Sequence, residues 1–237
     1  MPSDLDLEPY WKELRSPAVP KLKARDHARR RVRLTRDLVT NGGSKFFKGE
    51  VMIIYGTWRG RFHMESELRP PKEIRQVSKS AFKLILGPRV VFLDIDGVLN
   101  NTEFFKRRGH EKDLHGPDML DPENMEILNE ILKKTGAVVV LSASSRHYKP
   151  LDEIASVFKQ RGFDGIIHDR TPELWDEGRG KEIQTWLDAN PCSAYVVLDD
   201  DVADMAHMRC RQVKTSIHEG GLQDYHVKQV CDLLGVR

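Results

Sequence analysis

Val90-Val91-Phe92-Leu93-Asp94-Ile95-Asp96-Gly97-Val98-Leu99-Asn100 is a short apolar run, rich in β-branched and aromatic residues, that ends abruptly in two carboxylates and a glycine. Such a run reads as a buried strand emptying into a tight polar loop. Asp94 and Asp96 are two residues apart, with Ile95 anchored between them. If the loop departs from the extended path there, both acids look into one crevice and can hold a divalent cation.

Downstream of this stretch the pattern alternates strand and helix, which argues for a parallel sheet. Asp121-Pro122-Glu123 starts a helix, with Asp as N-cap and Pro at the first helical position, and Gly136 ends it after Lys134. Residues 137–141 form the next buried strand, ending in Ser142. Residues 150–160 read as a helix closed by Gly162, 165–167 as a brief strand and 181–187 as a helix. Residues 194–198 are a strand that ends in Asp199-Asp200-Asp201. Val213 marks a last strand, and residues 222–234 a closing helix.

Three strand ends thus deliver polar residues at one kind of position: Asp94 with Asp96, Ser142, and Asp199 with Asp200. Arg179 or Lys181 adds a base at the start of a helix. In this order the four features resemble the motifs of the haloacid dehalogenase (HAD) superfamily of phosphohydrolases, over residues 89–237. Asp-Gly-Val-Leu-Asn, Leu-Ser-Ala-Ser-Ser-Arg, Thr171-Pro172, the segment from Arg179 through Leu187, Leu198-Asp199-Asp200-Asp201 and Gly221-Leu222 are similar to the HAD-like domain of RNA-repair proteins. The resemblance implies a Rossmann-like parallel sheet with flanking helices. It also implies an aspartyl-phosphate route in which Asp94 attacks phosphorus and Asp96 protonates the leaving oxygen, then activates water. Mg2+ would be held by the Asp94 carboxylate, the Asp96 backbone carbonyl and Asp200, with Asp199 as the alternative. Ser142, Ala143 and the amides after them would hold phosphoryl oxygens, Lys181 or Arg179 would neutralise charge, and Arg146 would contact substrate. The acid at position 96 favours phosphomonoester hydrolysis, because the dehalogenases and ion pumps of the superfamily lack a proton donor there. Trp175 and Trp186 read as packing residues, and His110 and His115 as surface residues.

The 237-residue chain carries a net charge of +2 that hides an asymmetry. Residues 1–88 hold 19 Lys+Arg against 10 Asp+Glu, a net +9; residues 89–237 hold 19 against 26, a net −7. A basic front half and an acidic back half suggest separate modules. Residues 1–29, with Pro2, Pro9, Pro17 and Pro20 around Tyr10-Trp11, read as an arm. Residues 30–88 read as a small basic β-barrel-like domain, loosely similar to an SH3-like barrel. Residues 29–36 alternate basic and apolar as in a strand with one wet, positive face. Phe46-Phe47, 51–55 and 61–64 follow as a hairpin region, and 74–77 and 82–86 as short strands. Gly87-Pro88 is the boundary. The front half's arginines and lysines interleave with Phe46, Phe47, Tyr55, Trp58 and Phe62. This composition suits either a nucleic-acid surface or a solvated barrel with an aromatic core.

No run of about 18 apolar residues exists and the first ten residues are acidic, so neither a membrane span nor a secretory signal is indicated and a cytoplasmic location is expected. Cys192, Cys210 and Cys231 are odd in number and lack CxxC spacing, which argues against disulfides and zinc. The intervals 101–119 and 142–181 are too short for a cap domain, so the site is expected to be open to a bulky phosphorylated substrate such as a nucleotide or a nucleic-acid end. A small-metabolite phosphatase, with the front domain covering the site or mediating oligomerisation, and an inactive binding module are the alternatives.

Overall fold

The computed structural model describes residues 29–40, 42–67, 72–109, 116–201 and 203–236. The expected arm, apart from Arg29, and His110 and His115 lie outside them. Among the described residues the chain divides into two compact units: one holds those up to 88 together with 191–193, and the other holds those in 89–190 and from 194 on.

In the first unit, strands β1 (Arg31–Leu34), β2 (Leu38–Val39), β3 (Lys45–Phe46), β4 (Val51–Trp58), β5 (Arg61–Ser66), β6 (Glu73–Val77) and β7 (Phe82–Leu84) are all antiparallel where they pair. Five of them form one sheet in the order β6-β5-β4-β1-β7, while β2 and β3 pair separately. The ladder ends at β6 and β7, so among the described residues it is an open sheet and not a closed barrel. Phe46 also pairs back to β2, not forward to β4. The β4–β5 hairpin turns on Arg59 (φ 47°) and Gly60 (φ 73°) between the paired Trp58 and Arg61. Two successive positive φ values are what a two-residue hairpin turn requires. Alternation along the strands fills a core of Val32, Leu34, Phe46, Met52, Ile54, Phe62, Met64 and Phe82.

The alternation of residues 29–36 does not give a uniformly wet basic face. Arg33 is exposed, but Arg31 is 3% exposed and donates from Nε and Nη2 to both carboxylate oxygens of Glu67, at 2.7 and 2.8 Å. Sequence periodicity cannot see a partner 36 residues away. Of the aromatics, Phe46 and Phe62 are buried and Phe47 and Trp58 exposed, so the front domain divides the two roles between different rings.

In the second unit, β8 (Arg89–Leu93), α1 (Thr102–Arg107), α2 (Pro122–Thr135), β9 (Ala137–Leu141), α3 (Leu151–Gln160), β10 (Ile167–Arg170), α4 (Arg179–Ala189), β11 (Ala194–Asp199), β12 (Gln212–Lys214) and α5 (Asp224–Leu234) build a parallel sheet flanked by helices. Its strand order is β10-β9-β8-β11-β12. Val90, Val91, Phe92 and Leu93 are all fully buried, which explains the apolar run: both faces of β8 are covered. Val91, Leu93, Val139, Leu141, Val196 and Leu198 join residues of α2, α3 and α5 in one core. On α4, Trp186 meets Phe92 edge to face at 5.3 Å. Asp121 caps α2 by accepting from Glu123 N–H at 3.0 Å, and Gly136, at φ 61°, closes it. The short helix α1 was not anticipated; Asn101 caps it through the Phe104 N–H. Among the described residues neither 101–119 nor 142–181 contains a domain-sized insertion, and no helix is long and apolar enough to cross a membrane.

Candidate active site

The first strand of the parallel sheet, β8, lies at its centre. The chain proceeds outward through β9 and β10 on one side, then returns to the other side for β11 and β12. In open sheets of this kind the carboxyl end of the strand where the order reverses opens into the ligand crevice. Asp94 leaves β8 at that point, its N–H bonded to Leu198 O, while Ser142 follows β9 with its N–H on Leu93 O. Asp199 ends β11 on the other flank. The ladder thus gathers into one crevice residues separated by more than a hundred positions.

Arg179 binds the acids together. Its Nη1 lies 3.1 Å from Asp94 Oδ2 and 2.5 Å from Asp199 Oδ2, and its Nη2 donates to Ser144 Oγ at 3.3 Å. Lys181 is not brought to the crevice: its side chain is 57% exposed and its ammonium is 4.0 Å from Glu177. Of the two bases left open, at positions 179 and 181, the structure brings only Arg179 to the acids. Residues two apart on a helix point about 200° apart, so only one of them can face the sheet.

One carboxylate oxygen each from Asp94, Asp199 and Asp200 lies within 4.8 Å of the others. Asp199 is fully buried, with Oδ2 on Arg179 and Oδ1 accepting from Asp201 N–H at 2.9 Å; Asp200 is half-buried. Burial pushes the Asp199 carboxyl up to about 7, against the pull of Arg179. It also raises Asp94 and Asp200 above the usual carboxylate range. Burial works to lower the Arg179 pKa, yet the nearby Asp94 and Asp199 outweigh it and the net shift is upward. Three clustered acids share one guanidinium, so acidic charge exceeds the base that offsets it. A set of hard carboxylate oxygens with surplus negative charge fits Mg2+.

The loop after Asp94 is shaped for this cluster. Gly97 has φ 70°, and a Cβ there would lie 2.2 Å from Asp200 Oδ2. Asn100 accepts from Gly97 N–H at 3.0 Å and donates to Asp96 Oδ1 at 2.8 Å, holding the exposed Asp96 in place. The Asp96 carboxylate is not part of the three-acid cluster. Ser142 Oγ is fully buried with no hydrogen-bond partner among the described residues, and Ala143 beside it is buried as well.

Arg146 departs from the expected substrate contact. It is 4% exposed, and its guanidinium donates to the carbonyls of Ser142, Ala143, Thr171 and Pro172 and pairs with Glu182 at 2.5 Å. Its donors go to the loops that wall the crevice and to Glu182, which leaves the substrate contact expected of it without a free N–H. The two tryptophans divide: Trp186 is buried and donates to Asp169 at 2.6 Å, whereas Trp175 is 82% exposed, contrary to the packing role expected of it. Gly97, Asn100 and Ser144 lie in the quoted motifs but received no role of their own from the sequence. Gly97 and Asn100 lie within the opening stretch, and glycine and asparagine are both common turn residues.

Comparison with known families gives a match to the HAD domain in Swiss Army Knife RNA repair proteins, over residues 90–227. The chain belongs to this family. The matched segment runs from β8 into α5 and contains every residue of the crevice. The second unit is accordingly a hydrolase domain of the HAD superfamily, as the order of its strand-end motifs implied. Neither a search of the curated proteins nor a search of the solved structures returned a significant match.

Proposed function

We propose that this protein is a cytoplasmic, magnesium-dependent phosphomonoester hydrolase that acts through an aspartyl-phosphate on a nucleotide or nucleic-acid phosphate. The observation that carries the reading is the contact of Arg179 with both Asp94 and Asp199 beside a third acid, at the switch point of the sheet. It pairs an anionic nucleophile with a cationic group able to bind phosphoryl oxygens.

In this reading an Asp94 carboxylate oxygen attacks phosphorus, the bond from phosphorus to the leaving oxygen breaks, and Asp96 gives that oxygen a proton. Asp96 then takes a proton from water, which attacks phosphorus and releases Asp94 and inorganic phosphate. Asn100 holds Asp96 for both transfers. Ser142 Oγ, buried and unpartnered, donates to a phosphoryl oxygen, and Arg179 bridges nucleophile and phosphate. Asp94, Asp200 and the Asp96 backbone carbonyl would hold magnesium, which would supply the charge neutralisation that a carboxylate approaching a phosphate needs. Asp199, whose two oxygens are taken by Arg179 and the Asp201 amide, positions Arg179. The basic front domain, with exposed Trp58 stacked by Arg59 at 4.5 Å, is the platform for an anionic partner.

The test is phosphate release from a panel of nucleotides, 3′- and 5′-phosphorylated oligonucleotides, sugar phosphates and phosphopeptides, with magnesium or with chelator. Turnover that needs magnesium, is highest for nucleotides or oligonucleotides and is abolished in Asp94→Asn supports the reading. No metal-dependent release from any member sinks it.

A further inference from the structure

Tyr148 and Trp175 are 81% and 82% exposed, yet both line one cleft of about 350 Å3 that also takes in Ser144 and Arg179. Arg179 is the guanidinium that touches Asp94, so the cleft opens directly from the reacting end of the site. Its volume is at the lower end of the roughly 300–1,000 Å3 of small-ligand clefts, large enough for one planar ring system and little more.

The two aromatics stand on backbone that is locked on both sides. Tyr148 closes the turn after Ser145, to whose carbonyl it donates at 3.2 Å. Trp175 rides a turn in which Glu177 N–H donates to Leu174 O at 3.0 Å and Leu174 N–H donates to Glu182 Oε1 at 3.1 Å. Buried Arg146 joins the two loops: it lies two residues before Tyr148, binds the Thr171 and Pro172 carbonyls leading to Trp175, and pairs with the same Glu182. Arg170 adds bonds to the carbonyls of Arg146 and Lys149 at 2.7 and 3.1 Å. Two large rings exposed on the walls of one cleft, on a backbone held by hydrogen bonds, leave their faces open to a flat ligand.

The remaining walls say which ligand. Arg146 and Glu182 also line the cleft but pair with each other, and Glu173, Asp201 and Asp204 then bring more acidic groups to it than Arg179 offsets. They repel a second phosphate and accept hydrogen bonds from N–H donors. The occupant is therefore flat, uncharged and rich in donors, and it is attached to the phosphate that Arg179 and Ser142 receive. We infer that Tyr148 and Trp175 form a base-stacking subsite for the nucleotide that carries the scissile phosphate. The inference rests on the phosphatase reading only for where that phosphate sits.

The test is equilibrium binding by calorimetry to the full chain carrying Asp94→Asn, in magnesium, so that no turnover intervenes. Adenosine 5′- and 3′-monophosphate are compared with ribose 5-phosphate and phenyl phosphate. At least one adenosine monophosphate is expected to bind about tenfold or more tighter than ribose 5-phosphate, because a base stacked on aromatic side chains adds affinity of that order. Trp175→Ala and Tyr148→Ala should each lower that ratio about fivefold or more, and Trp175→Phe should keep it. Both side chains are exposed, so these substitutions leave the core untouched. A ratio near one before substitution, a ratio that neither alanine moves, or phenyl phosphate binding as tightly as the nucleotides overturns the subsite. Failure of the phosphatase reading is scored separately, as absence of phosphate release from the unsubstituted chain, and leaves these binding ratios measurable.

Discussion

Replacing Gly97 by alanine should abolish most of the activity while costing little more stability than the same change at a neutral site. Gly97 has φ 70°, and its new Cβ would meet Asp200 Oδ2, Cγ and Cβ at 2.2, 2.4 and 2.8 Å. Ordinary contact begins at about 3.5 Å, so the Asp200 carboxylate must retreat by more than about 1 Å. A misplacement of that size in a catalytic group costs about 100-fold in rate, or about 2.7 kcal/mol of barrier. The left-handed backbone itself costs about 1–2 kcal/mol, which for a chain of this length lowers the melting temperature by about 2–8 °C. Gly136→Ala is the control: its φ is 61° and nothing lies within 4 Å of the added Cβ. Both variants should show similar losses by thermal denaturation, while magnesium-dependent release of phosphate from an aryl phosphate falls about 100-fold in Gly97→Ala alone. Activity in Gly97→Ala within about threefold of the unsubstituted protein would refute the argument that Asp200 must stand where it does.

Arg179→Gln should lower turnover by about 100- to 1,000-fold, the usual loss of one charged donor at a developing anion, whereas Lys181→Gln stays within about threefold; steady-state kinetics on both variants checks the assignment. Arg31→Met should destabilise the first unit by about 3–5 kcal/mol in urea denaturation by leaving Glu67 buried and unpaired, and the double change Arg31→Met/Glu67→Leu should recover most of it. Asp199 is pushed up to about 7 by burial, so without a cation it favours the folded state at low pH and that contribution fades as pH rises through about 7. Burial also raises Asp94 and Asp200, the carboxylates proposed to hold magnesium, so protons compete with the ion and the rise in melting temperature it causes should grow from mildly acidic to mildly alkaline buffer; an equal rise in both would contradict their raised pKa values.

The sheet and its crevice were legible because the strands of the second unit are buried on both faces. Unbroken apolar runs such as 90–93 and 137–141 announce such strands, and the polar residue that ends each run is the one delivered to the crevice. Pairs of charged residues were harder. Arg179 and Lys181 are equivalent in sequence, and only the face of α4 that meets the sheet separates them. Arg31 read as part of a wet basic face and Arg146 as a substrate contact because what buries them is remote: Glu67 for one, Glu182 and four backbone carbonyls for the other. Trp175 and Trp186 are alike in composition and opposite in fate, since one rides a turn and the other the inner face of a helix. The front domain's strands could be read from their alternation, but its open ladder and the pairing of Phe46 with β2 depend on contacts that alternation does not encode.

The central claim is that Asp94 becomes phosphorylated during turnover. Rapid quenching of the magnesium-loaded protein with its best substrate, reduction with borohydride and peptide mass spectrometry should find Asp94 converted to homoserine, and only in samples that received substrate. Conversion of a different acid, or none at position 94 while phosphate is being released, would contradict the account.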